Sequence, residues 1–343
     1  MNGVRKHRSK SSQQRLVALS VSYERAHLLP RGLGAEHLRE LLIGIARPIL
    51  RNGASLAYAG NWKESTPERP NYTYELLQLI SAEQEDNSLG GPDTNLTLGR
   101  LYNHLSWPHY LDLSTYQEAE WVNVCRIVRV SQTQAGLNND EVVADSEAPA
   151  ESDRALFSKA VTLSATRAMV VDGMSLNWPD APAEIVPPAA AHVMLGGKTT
   201  GYSGFVPGLF EEAYLAINAK HPTYILGGFG GAAEVLSRAL LGTAQIDELT
   251  EQWHRANGGK SVARLMDMAG NFRLPPQRMA TSTLLSSLNS QIQSAYGKVS
   301  QALETGLEET ETRELMTTRS IVRAISLVRK GLQQRIGLQS LPA

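Results

Sequence analysis

Residues 224–240 read YILGGFGGAAEVLSRAL. Three apolar residues lead directly into four glycines within five positions, and an amphipathic run that carries Glu234 follows. This order is typical of a buried strand, a tight turn and a helix start in an α/β protein. Because glycine has no side chain, such a turn lets a phosphate approach the free N–H groups of the helix start. We therefore interpret Gly227, Gly228, Phe229, Gly230 and Gly231 as a candidate phosphate-binding turn.

The same alternation of apolar runs and helical patterns extends over most of the chain. Strands are predicted at residues 16–22, 55–60, 124–130, 191–195 and 224–226, and helices at about 75–83, 153–170 and 208–219. A further helix is predicted after the first strand, with one apolar face made by Leu38, Leu41, Leu42, Ile45 and Ile49. Strands that alternate with helices predict a parallel sheet. The expected fold class is α/β, a Rossmann-like, doubly wound and mainly parallel sheet with a C-terminal helical extension.

The pattern also predicts how the chain is divided. Residues 1–15 are basic and polar and are expected to form a flexible tail, and residues 16–245 are expected to form the Rossmann-like nucleotide-binding domain. Within that domain, residues 61–120 and 132–152 are interpreted as irregular insertions or loops. Residues 246–343 read as helical and should pack on the domain or mediate assembly.

Composition excludes several classes of function. The formal net charge of -1 provides no global basic field for nucleic acid, so nucleic acid is not an expected partner. The single cysteine, Cys125, excludes an internal disulfide framework and fits a cytoplasmic location. No HExxH or similar spacing is present, so no metal site is expected. The apolar run at 16–21 is too short to span a membrane, and no membrane partner is expected.

Glycines and small polar residues end several of the predicted strands. In a parallel sheet the carboxyl ends of the strands share one edge, and ligands bind in the crevice there. The residues expected to contact a ligand at this edge are Ser20, Ser22, Gly60, Asn61, Gly196, Gly197 and Lys198.

Three charged residues are candidates for the same site. Arg167 continues a helical stripe that should face the sheet, where it could pair with a ligand phosphate or form a structural salt bridge. Glu211 lies in the first turn of a helix and could contact the ligand or complement the helix dipole. Glu234 could hold ribose hydroxyls, assist departure of a base as acid, base or electrostatic stabiliser, or cap its own helix.

Together these motifs resemble the SLOG superfamily, which groups the SMF/DprA proteins with the LOG or "lysine-decarboxylase-like" proteins. Residues 226–234 match the glycines and the glutamate of the LOG signature PGGxGTxxE, with Leu226 for the proline and Gly231 for the threonine. Arg167 and Met169 resemble the upstream arginine and methionine of LOG proteins. A closer likeness is to a bacterial, sensor-type subfamily with LGGK, GxxPGxxEEA and GGFGG motifs, here MLGGKTTGYSGFVPGLFEEAYLAI (194–217) and YILGGFGGAAEVL (224–236).

The resemblance implies a nucleotide ligand and no prosthetic group. Other SLOG domains sense NAD-derived or ADP-ribose-like nucleotides in antiphage systems, so the leading hypothesis is a sensor in antiviral defence or stress signalling. Such a sensor would act as a homo-oligomer or through an effector protein. LOG enzymes cleave the N-glycosidic bond of nucleoside 5′-monophosphates, which gives the enzyme alternative, with Glu234 and Arg167 as catalytic residues. Gly231 lacks the hydroxyl that LOG enzymes offer to phosphate, which disfavours turnover. A DprA-like scaffold for single-stranded DNA is the second alternative.

Overall fold

The computed structural model describes residues 15–66, 70–89, 99–148, 152–178, 181–242, 246–268 and 270–338. The predicted basic tail, residues 1–15, lies outside the described residues except for its last position. All structural statements below concern the described ranges.

Within the described ranges, eight strands form two sheets. They are β1 (Leu16–Ser22), β2 (Ser55–Tyr58), β3 (Leu101–Ser106), β4 (Cys125–Val130), β5 (Met174–Trp178), β6 (Ala181–Val186), β7 (Ala191–Gly196) and β8 (Thr223–Leu226). Six of them form one sheet in the order β4-β3-β2-β1-β7-β8, and every neighbouring pair in it is parallel. β5 and β6 form a separate antiparallel hairpin. The predicted parallel α/β sheet is confirmed.

Thirteen α-helices lie within the described ranges. They are α1 (Arg25–Leu28), α2 (Ala35–Arg51), α3 (Tyr72–Leu89), α4 (Thr115–Glu120), α5 (Asp153–Asp172), α6 (Gly208–Asn218), α7 (Gly231–Leu240), α8 (Glu251–Asn257), α9 (Lys260–Asp267), α10 (Thr281–Ala295), α11 (Val299–Ala302), α12 (Glu309–Thr317) and α13 (Ile321–Ile336). Residues of α2, α3 and α13 share one buried cluster with β1. On the opposite face, Val170 of α5 packs against the buried Leu16 and Ala18 of β1. Helices therefore cover both faces of the sheet, as in a doubly wound fold.

The strand order reverses beside β1. From β1, the strands β2 to β4 follow on one side and β7 and β8 follow on the other. The connections that leave β1 and β7 therefore diverge to opposite sides, and a crevice opens outside the carboxyl ends of these two strands. In a fold of this kind, a ligand binds in such a crevice.

The helix that follows β1 forms as its apolar period predicts. All the apolar residues expected to share a face of α2 are buried: Leu38, Leu41, Leu42, Ile45 and Ile49. A helix with a single apolar stripe gains most of its stability by packing that stripe against other elements. This prediction from the sequence is confirmed.

Residues 61–120 are not irregular throughout: the helix predicted at about 75–83 forms as part of the longer α3, and the sequence did not predict β3 and α4. Every residue of β3 is buried although its sequence, LYNHLS, contains polar side chains. Asn103 accepts a hydrogen bond from the Trp62 indole at 2.8 Å and donates to the carbonyl oxygens of Tyr58 and Gly60 at 3.1 and 3.0 Å. These partners come from a neighbouring strand and loop, so the local pattern does not show how the polar groups are satisfied.

Residues 132–148 form turns and a short 3-10 helix at Asp145–Glu147. The loop is nevertheless anchored: Leu137 and Val143 are buried, and the Gln132 side chain exchanges two hydrogen bonds with the backbone of Val143. Residues 149–151 lie outside the described ranges.

The helices after residue 246 pack on the sheet domain. Ala324, Leu327, Val328 and Leu332 of α13 are buried in the same cluster as the apolar face of α2. α10 contributes Leu284, Leu285 and Leu288 to a second cluster that contains apolar residues of α6 and α7. The C-terminal helices therefore share the hydrophobic core of the fold.

Candidate functional site

A cleft of about 260 Å³ opens at the crevice between the ends of β1 and β7, and we call it the main cleft. Its walls come from β1, β2, α5, the loop after β7 and the start of α6. The polar residues that line it are Ser20, Ser22, Tyr58, Arg167, His192, Lys198, Tyr202, Ser203 and Glu212. The position is the one at which doubly wound sheets bind ligands.

Ser20 and Ser22 lie at the carboxyl end of β1. Since side chains alternate along a strand, these two residues share one face of the sheet. They pair with Met194 and Gly196 of β7, which brings the loop that carries Lys198 next to them. The strand register thus places two hydroxyls and an exposed ammonium group on one wall of the main cleft.

Arg167 of α5 lies between two carboxylates at the start of α6. Its Nη1 atom donates to Glu211 at 2.5 Å, and its Nε atom lies 3.7 Å from Glu212. Glu211 also accepts a hydrogen bond from the Ser164 hydroxyl. A Cβ atom added to Gly208 would lie 3.0 Å from Nη2, so the guanidinium rests against the backbone of α6. Arg167 is only 11% exposed. It forms a structural salt bridge and also lies on the wall of the main cleft.

Glu211 does not line the main cleft, whereas the adjacent Glu212 does. Glu212 accepts a hydrogen bond from the Ser20 hydroxyl. Burial raises the pKa of the Glu212 carboxyl, Arg167 and Ser20 lower it, and the charge of Glu211 raises it further, so that the net direction is upward. A carboxyl group with a raised pKa inside a cleft is a candidate proton donor or acceptor.

Glu212 also makes the stability of the fold depend on pH. Because its folded pKa lies above the unfolded value, the native state binds more protons, and stability falls as pH rises through that window. We expect Glu212→Gln to raise the free energy of unfolding at pH 7.5 and to leave it nearly unchanged at pH 4. Urea denaturation at the two pH values measures this, with Glu40→Gln on the exposed face of α2 as the control. A less stable Glu212→Gln protein at pH 7.5 would show that the pairing with Arg167 outweighs burial.

The glycine turn packs against the chain's own backbone. A Cβ atom at Gly231 would lie 2.3 Å from the carbonyl oxygen of Gly197, and one at Gly228 would lie 1.9 Å from that of Thr318. The Ala232 N–H donates to the same Gly197 carbonyl at 2.9 Å. Among the described residues that line the main cleft there is none from the turn 227–231. The turn brings the β8 and β7 ends together, and its role in holding phosphate stays a prediction.

Residues 24–31, which follow β1, cover the start of α7, and we call them the closing segment. Arg31 donates to both carboxylate oxygens of Glu234 at 2.5 Å. His27 lies 3.1 Å from the Thr199 hydroxyl, and Glu24 accepts from the Thr199 N–H at 3.3 Å. Glu234 is therefore engaged in holding the closing segment, and its predicted contact with a ribose or a leaving base stays a prediction.

The ion pair between Arg31 and Glu234 should control local opening more than global stability. Its side chains are 20% and 28% exposed, and pairs near the surface contribute up to about 1 kcal/mol. We expect Arg31→Ala to change the free energy of unfolding by less than about 1 kcal/mol but to speed hydrogen exchange across residues 24–31. The matched control is Arg39→Ala on α2, which removes the exposed pair with Glu75 of α3. Unchanged exchange in the closing segment would contradict this role.

Gly60 and Asn61 lie just after β2 and contact residues at the start of α3. The carbonyl oxygen of Asn61 accepts hydrogen bonds from the Asn71 amide and the Thr73 hydroxyl, each at 2.9 Å. A Cβ atom at Gly60 would lie 2.2 Å from the Thr73 hydroxyl. In this turn it is Ala59 that lines the main cleft. A ligand contact of Gly60 and Asn61 stays a prediction.

The described residues contain no group of three or more His, Cys, Asp or Glu side chains placed to hold a metal ion. Among the helices described, none combines the length and the apolar character that a membrane span requires.

The comparison with protein-family models identifies the family. A model described as SLOG cluster2 matches residues 11–315, most of the chain. The chain belongs to the SLOG family. Comparison with curated proteins gave no match. Membership in the SLOG family indicates that the protein binds or processes a nucleotide-related ligand.

In this SLOG chain the structure brings some of the predicted site residues together and separates others. Ser20, Ser22, Arg167 and Lys198 meet at the main cleft. Glu234 and the glycine turn lie under the closing segment. Glu212 is not among the residues that the sequence predicts to contact a ligand, yet its spacing of four residues from Gly208 puts both on the helix face that lines the cleft. Tyr202, Ser203 and His192 carried no signal in the sequence.

Proposed function

We propose that this SLOG protein binds a phosphorylated nucleotide related to NAD or ADP-ribose in the main cleft and acts as a sensor of that ligand. The observation that carries the proposal is the meeting of Arg167, Lys198 and the start of α6 beside the hydroxyls of β1. A helix start, a guanidinium fork and an ammonium group are three groups that bind phosphate in proteins. They lie where doubly wound sheets hold nucleotides.

Two carboxylates at the start of α6 compete with a bound phosphate for Arg167. Glu211 and Glu212 occupy Arg167 in the structure described above. A phosphate that approaches Arg167 takes over one of these contacts, and protonation of Glu212 favours the exchange because it removes a nearby negative charge. Ligand binding should therefore shift the start of α6 against α5, which is a physical basis for sensing.

The ion pair of Glu234 with Arg31 favours a sensor over an enzyme in which Glu234 is a catalytic residue. In the LOG-like alternative Glu234 is a catalytic residue, whereas here both of its oxygens hold the closing segment. The resemblance to sensor-type SLOG proteins supports antiphage or stress signalling as the setting. Output through a homo-oligomer or an effector protein is part of the same proposal.

A phosphoribohydrolase is the second candidate, and the raised pKa of Glu212 supports it. In that reaction water attacks the anomeric carbon of the ribose, the C–N bond to the base breaks, and the departing base takes a proton. Glu212 is protonated more readily than an ordinary carboxyl and could supply that proton. The products would be a free base and ribose phosphate.

Native mass spectrometry separates the two candidates. The purified protein is incubated with AMP, NAD, ADP-ribose or cyclic ADP-ribose isomers, and the spectrum reports the bound mass and any product. An intact ligand bound without turnover supports the sensor. Free base and ribose phosphate, lost in Glu212→Gln but retained in Glu40→Gln, would establish the enzyme and overturn the sensor proposal.

A further inference from the structure

Arg278, in the segment before α10, is a half-buried arginine whose guanidinium is poorly paired. Its Nη1 atom donates to the carbonyl oxygen of Ser164 at 3.4 Å, which is longer than the usual range of about 2.7–3.2 Å. Its Nε atom is buried and has no hydrogen-bond partner among the described residues. Since buried polar groups nearly always have a partner, this guanidinium has a donor to spare for a further contact.

Ser164 of α5 connects Arg278 to Glu211. The Ser164 hydroxyl donates to the Glu211 carboxylate, while the Ser164 carbonyl oxygen accepts from Arg278. Burial lowers the pKa of Arg278, and the charges of Glu211 and Asp172 act against that shift at longer range. Asp172 is exposed, so water screens its charge, whereas Glu211 is buried. Arg278 is therefore placed to stabilise the charge of Glu211 more than that of Asp172.

The backbone around Arg278 is held by two further hydrogen bonds. The Arg278 N–H donates to the carbonyl oxygen of Pro275 at 2.9 Å, which closes a turn. Three residues on, the buried Thr281 hydroxyl at the first position of α10 donates to the carbonyl oxygen of Phe205 at 2.7 Å. Phe205 lies in the loop that leads into α6. The segment from Arg278 to Thr281 thus contacts both α5 and the approach to α6, so a movement between these two helices reaches the start of α10.

A phosphate in the main cleft changes what Arg167 can offer to Glu211. Arg167 and Glu212 line the cleft, and Glu211 does not, so the phosphate draws the Arg167 guanidinium away from Glu211. Glu212 can stay beside the phosphate, because its raised pKa favours a protonated form that donates a hydrogen bond. Glu211, in contrast, loses its ion-pair partner while it remains buried, and a buried charge without a partner destabilises a protein.

We propose that Arg278 is a positioning residue for ligand binding, which becomes the ion-pair partner of Glu211 when a ligand phosphate takes Arg167. This inference rests on the proposed function and adds how occupancy of the main cleft is passed on. Both groups already bind Ser164, and the unpaired Nε atom supplies a donor for the new contact. The exchange couples the ligand to the start of α10, and hence to the C-terminal helices.

A double-mutant cycle on Arg278 and Glu211, measured by calorimetric titration of the full chain with ADP-ribose, tests this inference. Arg278→Gln should weaken binding about tenfold, because Glu211 then has no cation in the bound state. In the Glu211→Gln protein, where no charge needs a partner, Arg278→Gln should change the affinity by less than about twofold. Arg278→Lys keeps the charge and should bind within about threefold of the wild-type protein. Arg273→Gln, at an exposed arginine of the same segment, is the matched control and should change nothing.

The same exchange of partners can be measured without a ligand. In Arg167→Ala, Arg278 is the cation that remains near Glu211. Arg278→Gln should therefore lower the equilibrium constant of folding about tenfold more in Arg167→Ala than in the wild-type protein. This extra loss should vanish when Glu211→Gln is also present. Urea denaturation of the variants measures the loss.

Three results would overturn the inference. They are equal effects of Arg278→Gln on ADP-ribose binding with Glu211 and with Glu211→Gln, an Arg278→Lys protein that binds as weakly as Arg278→Gln, and equal effects of Arg278→Gln on stability with and without Arg167. The proposed function fails separately: in that case the wild-type protein binds no nucleotide, and the stability measurements still show whether Arg278 replaces Arg167 at Glu211.

Discussion

Replacing Arg167 with alanine should abolish nucleotide binding and lower the free energy of unfolding by about 3–5 kcal/mol. The large loss of stability has a specific cause. Glu211 is 4% exposed and Arg167 is its ion-pair partner, so the substitution removes that partner from a buried carboxylate and leaves it the longer-range attraction of Arg278. Chemical denaturation measures the stability, and calorimetric titration with ADP-ribose measures the binding.

A double variant separates the two effects of Arg167. In Arg167→Ala/Glu211→Gln the unpaired charge is gone, while the hydrogen bond to Ser164 can remain. We expect most of the lost stability to return and the binding to stay absent. If the double variant regained ADP-ribose binding, Arg167 would be a structural residue and the assignment of a ligand phosphate to it would be wrong.

The second large effect is expected at Gly231. This residue has φ 67°, and a Cβ atom there would lie 2.3 Å from the Gly197 carbonyl oxygen. Gly231→Ala should lower the free energy of unfolding by about 1–2 kcal/mol through the backbone conformation and about 1–3 kcal/mol more through the clash. It should also weaken nucleotide binding, because displacement of Gly197 moves the adjacent Lys198.

Gly242 provides the matched control for the glycine turn. It has φ 88°, and a Cβ atom there would meet nothing within 4 Å, so Gly242→Ala has the backbone strain without the clash. Thermal and urea denaturation of the two variants isolate the contribution of the close approach between the β7 and β8 turns. Equal losses of stability would contradict that contribution.

The elements that could be predicted from the sequence are those whose apolar period matches their final environment. β1 begins with the buried apolar residues LVAL, and α2 presents one apolar stripe to the sheet. β3 could not be predicted because the buried amide of Asn103 finds its partners in Trp62 and the carbonyl oxygen of Tyr58. A local sequence pattern indicates which residues are buried, but it does not show which groups form hydrogen bonds with a buried amide.

The same distinction applies to the site. Strand ends and glycine turns indicated the edge of the sheet at which the main cleft lies, because the edge follows from the alternation of strands and helices. The choice between Glu211 and Glu212 depends on the rotation of α6 about its axis, which packing on α5 determines. The pair of Arg31 and Glu234 joins residues 203 positions apart, and no local pattern connects them.

A crystal structure of the protein with ADP-ribose tests the central claim most directly. The account predicts a ligand phosphate within hydrogen-bond distance of the Arg167 guanidinium, in the crevice between the ends of β1 and β7. The start of α6 should be shifted relative to α5, since the phosphate replaces one carboxylate at Arg167. A ligand bound instead at the glycine turn 227–231, with Arg167 still held by both Glu211 and Glu212, would contradict it.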